Sequence, residues 1–567
     1  MMASMIVRSG LPEAFRVTER SPLGQTSTPY PGTLGAEFSY QNVTVPLPAE
    51  LRCRIFLFLS TTSQLHMTMT RLFAITLLTF LAFSGDLLAQ VLPAVLPARV
   101  EDALRFSTTF PVGTARFMGT GGSMSSIGVD HSTLSTNPAG IGWNRYNSFQ
   151  LSPGLSFSST ETTLTGDGST APLSESVFTP ALPSLGIVWA GTTRSLNWPT
   201  LNFGIAVNRL ADFNETIAFD GRGEGGVIDA IVEDLNDNIG DPFRADLIFD
   251  IPGAIQEDDL GFFSDFDLAE SAGGQIRRQG RVERSGSINE LSLALGGNYQ
   301  DKVMWGFSLG IPFLNFEEIK VYDEVDDRDE IIFFDDAGFD ETLEMSGSGV
   351  NFKFGLIGRP TEQLRISAAV HSPTFWSLDE VYFTTLEYNY TDDGQALGGV
   401  GLSPRSESVV NLQTPWRFMG GVGYLIGRNG FVTVDVDYQN FGSNKFSFDD
   451  FATLDEAANS DIENSLGGAL GLRAGGELNL KPVQLRAGVS YRQLPMTDFR
   501  FGEDEAILGF SAGAGYSKGK FFADFAARYE GYQSFYAPYR TFAFQPQVVE
   551  TNRTLVTAVL TVGFRGF

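Results

Sequence analysis

Histidine and cysteine, which most often supply a catalytic base, a nucleophile or a metal ligand, are nearly absent from this chain: of 567 residues, three are His and one is Cys. Cys53 and His66 stand early in the sequence, leaving His131 and His371 for everything downstream. A serine triad needs a histidine beside its nucleophile and a zinc site needs several nitrogen or sulfur ligands, so both chemistries are excluded. Two scattered histidines also serve haem ligation poorly. The glycines of Gly119–Gly122 suggest a phosphate loop, but no Gly-Lys-Ser/Thr follows them. The acidic runs Asp323–Asp329 and Asp335–Glu344 carry carboxylates that suit calcium, without the spacing of a defined loop. They read as solvated loop. The chain is therefore read as non-enzymatic, with no cofactor and no resident metal.

The charges that remain are arranged by period. Val432, Val434, Val436 and Tyr438 alternate with Thr433, Asp435, Asp437 and Gln439. Val483 to Tyr491 alternate with a face holding Arg486 and Arg492, and Phe521 to Tyr529 with a face holding Asp524 and Arg528. Period two is that of a β-strand with two different faces. The pattern recurs, with more Gly and Ser on the polar face, in Leu201–Val207, Leu291–Leu295, Val303–Phe313, Val350–Leu356, Leu364–Val370 and Leu470–Leu480. Minimal turns such as Gln300-Asp301 and Gly427–Gly430 alternate with long acidic connections. Short turns at one end and long loops at the other mark a transmembrane barrel. The expected fold is all-β: a transmembrane antiparallel β-barrel of about 14 strands, nine to eleven residues each. Its lumen carries a polar network of Asp435, Asp437, Arg473, Glu477, Arg486, Arg492, Asp524 and Arg528. Aromatics such as Trp143, Tyr146, Trp305, Tyr424, Tyr438 and Tyr532 are expected at the membrane interfaces. A net charge of −28 argues against nucleic acid as a partner.

Arg71 followed by the apolar run Leu72–Phe83 has the order of a secretory signal and is too short to cross a bilayer as a helix. The expected organisation is an upstream, disordered extension at 1–66, a signal peptide at 67–89, an N-terminal hatch at 90–144 and the barrel at 145–567. From Gln90 onward there is no cysteine, hence no disulfide. An amphipathic helix is expected in a long loop at Ile228–Leu247, from the spacing of Ile231, Leu235 and Ile239.

The hatch segment is glycine-rich and lacks a long alternating run. It contains Gly113-Thr-Ala-Arg, Met118-Gly-Thr-Gly-Gly122, Asp130 and Asn137-Pro138-Ala139-Gly140. Glycine permits close backbone approach and Asn-Pro initiates turns. With Thr414-Pro415-Trp416-Arg417 and the paired Leu472-Arg-Ala-Gly and Leu485-Arg-Ala-Gly, the chain resembles FadL/TodX-type outer-membrane transporters of hydrophobic compounds. The likeness is nearest to the Bacteroidetes-like branch, often labelled haemin receptors.

That resemblance implies a fourteen-stranded monomeric barrel in the outer membrane of a Gram-negative cell, in contact with its lipid and lipopolysaccharide. A hatch closes the lumen, and long-chain fatty acids or other small hydrophobic molecules diffuse past it to a lateral exit. Barrels similar to this family also serve as secretion-system shuttles, and a permanently plugged structural or adhesive barrel is a third possibility. Gly119, Gly121, Gly122, Asp130, Asn137, Pro138, Ala139 and Gly140 are expected to shape the hatch, with Arg473, Glu477, Arg486 and Asp524 anchoring it. Phe106, Phe110, Phe117 and Met118 are the apolar hatch residues expected to meet a ligand.

Overall fold

The computed structural model describes residues 99–566 apart from 111, 166–170, 238–239, 260, 449–451, 498–504 and 540–546. The upstream extension, the signal peptide, the start of the hatch at Gln90 and Ile239 lie outside the described residues.

The alternating runs pair in chain order. The first strands are β1 (Ser148–Leu164), β2 (Leu173–Thr192), β3 (Thr200–Asp212, resuming as Glu215–Gly223), β4 (Ile276–Tyr299), β5 (Val303–Val325) and β6 (Phe334–Gly358). Next come β7 (Leu364–His371 and Phe375–Asp392), β8 (Gln395–Leu402, Ser406–Gln413 and Arg417–Leu425) and β9 (Gly430–Asn440 and Lys445–Phe448). The last are β10 (Gly468–Leu480), β11 (Val483–Gln493), β12 (Ala506–Lys518), β13 (Phe521–Tyr536) and β14 (Val549–Arg565). The interrupted strands keep one line, since β7 meets β8 with Phe375 opposite Gln413 and His371 opposite Arg417. Finally β14 returns to β1, Arg565 opposite Ser148 and Val549 opposite Leu164. The sheet thus closes as a 14-strand antiparallel β-barrel.

The two faces differ as the period requires. In β9, Val432, Val434 and Val436 are 51%, 55% and 40% exposed, whereas Asp435 between them is 1% exposed. Outward Phe307, Phe352, Phe354, Leu472, Leu485, Phe510, Phe525 and Leu560 continue the apolar coat around the wall. A wall that is apolar outside and polar inside suits lipid rather than water.

One rim carries tight turns. Between β4 and β5, Gln300 and Asp301 both have positive φ, 53° and 55°, the geometry of a type I′ hairpin. The other rim carries the long connections, including 224–275 with helix Val227–Asn236, and 449–467 with helix Ala452–Ser465. The strands exceed the expected nine to eleven residues, reaching 25 in β6. Asp335–Glu344 is consequently strand rather than loop, paired with both β5 and β7. Carboxylates broke the apolar alternation there because the ladder continues beyond the lipid, where neither face needs to be greasy.

Two aromatics depart from expectation. Tyr532 shares the inward phase of Arg528 and Glu530, and its hydroxyl accepts from Arg553 at 3.2 Å. Trp143 belongs to the hatch, packed against Ala139, Met304 and Ile357 beneath the Arg365 guanidinium at 4.1 Å. Tyr424 and Tyr438 do face outward, 51% and 44% exposed.

Inside, helix Val227–Asn236 buries Ile228 and Ile231 with Ile248 and Ile251 against Phe219, Phe334, Leu386 and Tyr388 of the wall. Its apolar stripe caps the barrel mouth. Asp229, on the same helix, accepts from Ser264 Oγ (2.8 Å) and Gly226 N (2.9 Å). Burial nevertheless pushes its carboxyl up to about 7.

Candidate functional site

Below that cap the lumen is filled by residues 99–144. Helix α1 (Arg99–Ser107) has Glu101 and Asp102 in its first turn, favourable to the helix dipole. It buries Ala103 and Phe106 in the wall cluster, where Phe106, Phe213 and Phe316 meet edge to face at 5.4–6.0 Å. Arg99 donates to Glu380 of β7 at 2.6 and 3.0 Å. Helix α2 (Ala115–Gly119) starts at Thr114, whose hydroxyl accepts from Phe117 N (3.2 Å) and donates to Asp130 (2.7 Å). Asp130 in turn caps the 3-10 turn His131–Ser135 by accepting from Ser132 N at 2.9 Å. One carboxylate therefore ties two turns of the hatch together.

Asn137 does the same for the next turn. Its Oδ1 accepts from Ala139 N (3.2 Å) as cap of Pro138–Trp143, and its Nδ2 donates to Ser125 O (2.9 Å). Pro138 occupies the first helical position, where a missing N–H costs nothing. Gly128, at φ +69°, lies so close to Gly140 that a Cβ would come within 2.6 Å of the Gly140 Cα. Gly121 and Gly122 also hold positive φ, 66° and 75°.

The wall meets this hatch with glycine. A Cβ on Gly306 would sit 2.2 Å from the Pro138 carbonyl carbon, and one on Gly355 1.9 Å from Asn137 Oδ1. On the opposite side, Gly475 and Gly488 would each place a Cβ within 2.2–2.3 Å of the Thr120 and Gly121 backbone. Backbone-to-wall contact of this kind leaves no aqueous channel at those points. These glycines stand at inward phases of their strands, the sequence signal that would have found them.

Polar bonds complete the seat. Glu477 accepts from Arg116 of the hatch and from Arg486 of the wall, each Nε at 2.8 Å, and Arg486 reaches Asp524 at 2.7 Å. Asp435 accepts from Ser125 N (2.9 Å) and Oγ (2.6 Å). Asp437 bridges Arg417 (2.9 Å) and Arg473, and Arg417 also donates to Thr109 Oγ1 at 2.6 Å. His371 Nε2 lies 2.5 Å from Thr136 O and His131 Nε2 3.0 Å from Ser148 Oγ. Both histidines thus bridge hatch and wall. Arg528 pairs with Glu530, and Arg492 reaches the hatch by stacking on Phe110 at 4.2 Å. The sequence reading missed Arg116, Arg365, Arg417, Glu530 and the buried Lys353–Glu290 pair (2.5 Å), all of which lie outside its longest alternating runs or in the hatch.

Phe106, Phe110 and Phe117 line one cavity of about 80 Å³, with Leu210 and Asn208 of β3 and Ile288 of β4. Met118 does not join them: fully buried, it packs with Ala115 against Ala526 and Val559 of the wall. Gly119 lies against the same part of the wall, 3.4 Å from Ala526 for a built Cβ.

The wall has a seam beside that cavity. The β2–β3 ladder stops at Ser184 opposite Asn208. Beyond it, Leu173 to Ala181 of β2 pair only with β1, and the second half of β3 pairs only with β4, among the described residues. That half of β3 tucks behind β1, where Thr162 Oγ1 donates to Ala218 O and Leu164 touches Gly221. Pro180 and Pro183 in β2 lack the N–H groups a continuing ladder would need.

No family model matches the sequence, and no curated protein matches it. Among solved structures the chain is similar to a Pseudomonas aeruginosa FadL homologue, at 11% identity and TM-score 0.49, over 81% of this chain and 99% of that one. It is also similar to the Ralstonia pickettii toluene transporter TbuX, at 13% identity and TM-score 0.43, and to the P. putida toluene transporter TodX, at 11% identity and TM-score 0.43. Each of these two alignments covers 81% of this chain and 99% of the other.

Proposed function

We propose that this protein is an outer-membrane channel of the FadL/TodX type, a monomer that passes long-chain fatty acids or other small hydrophobic molecules by diffusion. The segment 90–144 acts as its hatch and Asn137–Gly140 as the turn that shapes the hatch. One observation carries the reading: the wall ladder ends at Asn208, and the cavity edged by Phe106, Phe110 and Phe117 is lined by that same Asn208 and by Leu210. A ligand held there lies beside a break in the sheet, so release sideways into lipid avoids the charged lumen below. Passing an alkyl chain through that charged, glycine-sealed section would leave polar groups without partners.

The test is uptake of radiolabelled oleate and toluene by a Gram-negative host lacking its own hydrophobic-compound channel and expressing the full chain. Uptake above the empty-vector host is expected, with little steady ion conductance in planar bilayers. Asn137→Ala removes two buried hydrogen bonds, about 1–3 kcal/mol of hatch stability, and raises that conductance. Failure of the native chain to carry either compound would refute the reading, and a large open conductance would make it a porin.

A further inference from the structure

We propose that the short-turn rim of the barrel is a binding ring for the head groups of anionic phospholipids. The inference concerns the seat of the wall in its membrane and goes beyond the transport reading. The six short turns of this rim span 193–199, 300–302, 359–363, 426–429, 481–482 and 519–520. Each carries one basic residue: Arg194, Lys302, Arg359, Arg428, Lys481 and Lys520. Only Asp301 and Glu362 oppose them, in a chain whose acids outnumber its bases by 67 to 39. The other rim has the reverse sign. Arg244 is the one base among the acids of the connection 224–275, and 449–467 has acids and no base.

Arg359 leans over Trp143 of the hatch, 6.0 Å from its ring. The other five cations are exposed and make no ion pair or side-chain hydrogen bond among the described residues, so their charge serves no contact within the fold. Each stands within four positions of an exposed apolar or aromatic side chain of the lipid-facing coat. Trp198 lies on Tyr299 at 5.0 Å beside Arg194 and Lys302, Ile426 precedes Arg428, Leu480 and Val483 flank Lys481, and Phe521 follows Lys520. A cation one step beyond the apolar band lies at the depth of head-group phosphate, where an anionic leaflet attracts it. The turns recur at every second strand, so the cations run around the whole wall. A soluble partner would need them gathered on one side, whereas an annulus of lipid meets the wall at every turn. The acidic connections stand a strand's length away, well past the screening length of about 8 Å, and do not cancel the ring.

Quenching of tryptophan fluorescence by brominated lipid tests this on the full chain in bilayers, because Trp198 is exposed within the ring itself. Phosphatidylcholine bilayers receive brominated phosphatidylglycerol or, in parallel, brominated phosphatidylcholine. The anionic lipid is expected to associate about threefold or more tightly at low salt, with the preference lost at high salt. Neutralising the ring by Arg194→Gln, Lys302→Gln, Arg428→Gln, Lys481→Gln and Lys520→Gln together should abolish the preference. Arg328→Gln with Arg405→Gln, exposed on the long-loop rim, should leave it intact. Retention of the heat-dependent gel shift shows that each variant is a folded barrel, and the salt response of the native chain tests the proposal without any variant. Equal association of the two lipids overturns it, as does a preference that survives high salt or the five substitutions, or one that is lost in the long-loop pair. Binding of soluble polyglutamate to the purified chain without a lipid preference also overturns it, making the rim a dock for an acidic macromolecule. Uptake of oleate and toluene is read separately in cells, so either reading can fall without the other.

Discussion

The two ends of the lumen are filled by opposite means. Toward the short turns, the hatch meets the wall through glycine contacts and bonds such as Arg116–Glu477 and Ser125–Asp435. Toward the long loops, Ile228, Ile231, Ile248, Phe334 and Tyr388 pack as an apolar core. Hydrogen bonds to a hatch can be exchanged for bonds to water, so an interface built from them can open at small net cost. Apolar packing cannot be exchanged in that way, because every separated pair of surfaces is exposed to water at once. If the proposed gating holds, the contrast predicts that the hatch is the part that moves and the outer cap the part that stays.

The sharpest way to break that contrast is to deny the hatch its seat. Gly306→Val would place side-chain atoms on the backbone of Pro138 and Ala139. The expected result is a barrel that still resists unfolding on a gel, with its heat-dependent shift retained, but conducts ions continuously in planar bilayers. A variant that stays closed would show that the hatch is not held by wall contact. In the outer cap, Ile231→Ala removes a fully buried side chain and should destabilise the 224–275 connection by about 2–5 kcal/mol. Faster proteolysis of that connection, with ion conductance unchanged, is the expected pattern; opened conductance would mean that the cap, not the hatch, closes the barrel.

The smallest effect is one of pH. Asp229 has its carboxyl raised to about 7, first by burial and further by Asp267 and Glu324, against the bonds from Ser264 and Gly226. An acid raised in the folded state binds more protons folded than unfolded, so the cap loses stability as pH rises from about 4 through 7. Protection of the 224–275 connection from protease should fall over that range. Asp229→Asn should flatten the dependence, and an unchanged slope would assign it to another group.

Asp435, Glu477 and Asp524 could be placed in the lumen from sequence because period two fixes which face a residue occupies whatever it later touches. The same logic indicated a closed barrel, whose outward Val432, Val434 and Val436 need lipid. It failed at Asp335–Glu344, where the ladder outlasts the membrane, and at Tyr532, whose aromatic ring sits on the polar phase. Phe106, Phe110 and Phe117 could be named as hatch aromatics, but Met118 could not be separated from them, since packing and ligand contact favour the same side chains.

Alternation along each strand was thus written in the local order of residues, as were the capping roles of Asp130 and Asn137, which act within a few positions of themselves. Partner choice was not. That Glu477 meets Arg116 across 361 positions, or that Arg528 obtains Glu530, depends on which strands become neighbours when the sheet closes. The break between β2 and β3 belongs to the same class. Local sequence sets the direction of a side chain, but only the closed ring sets what stands opposite it.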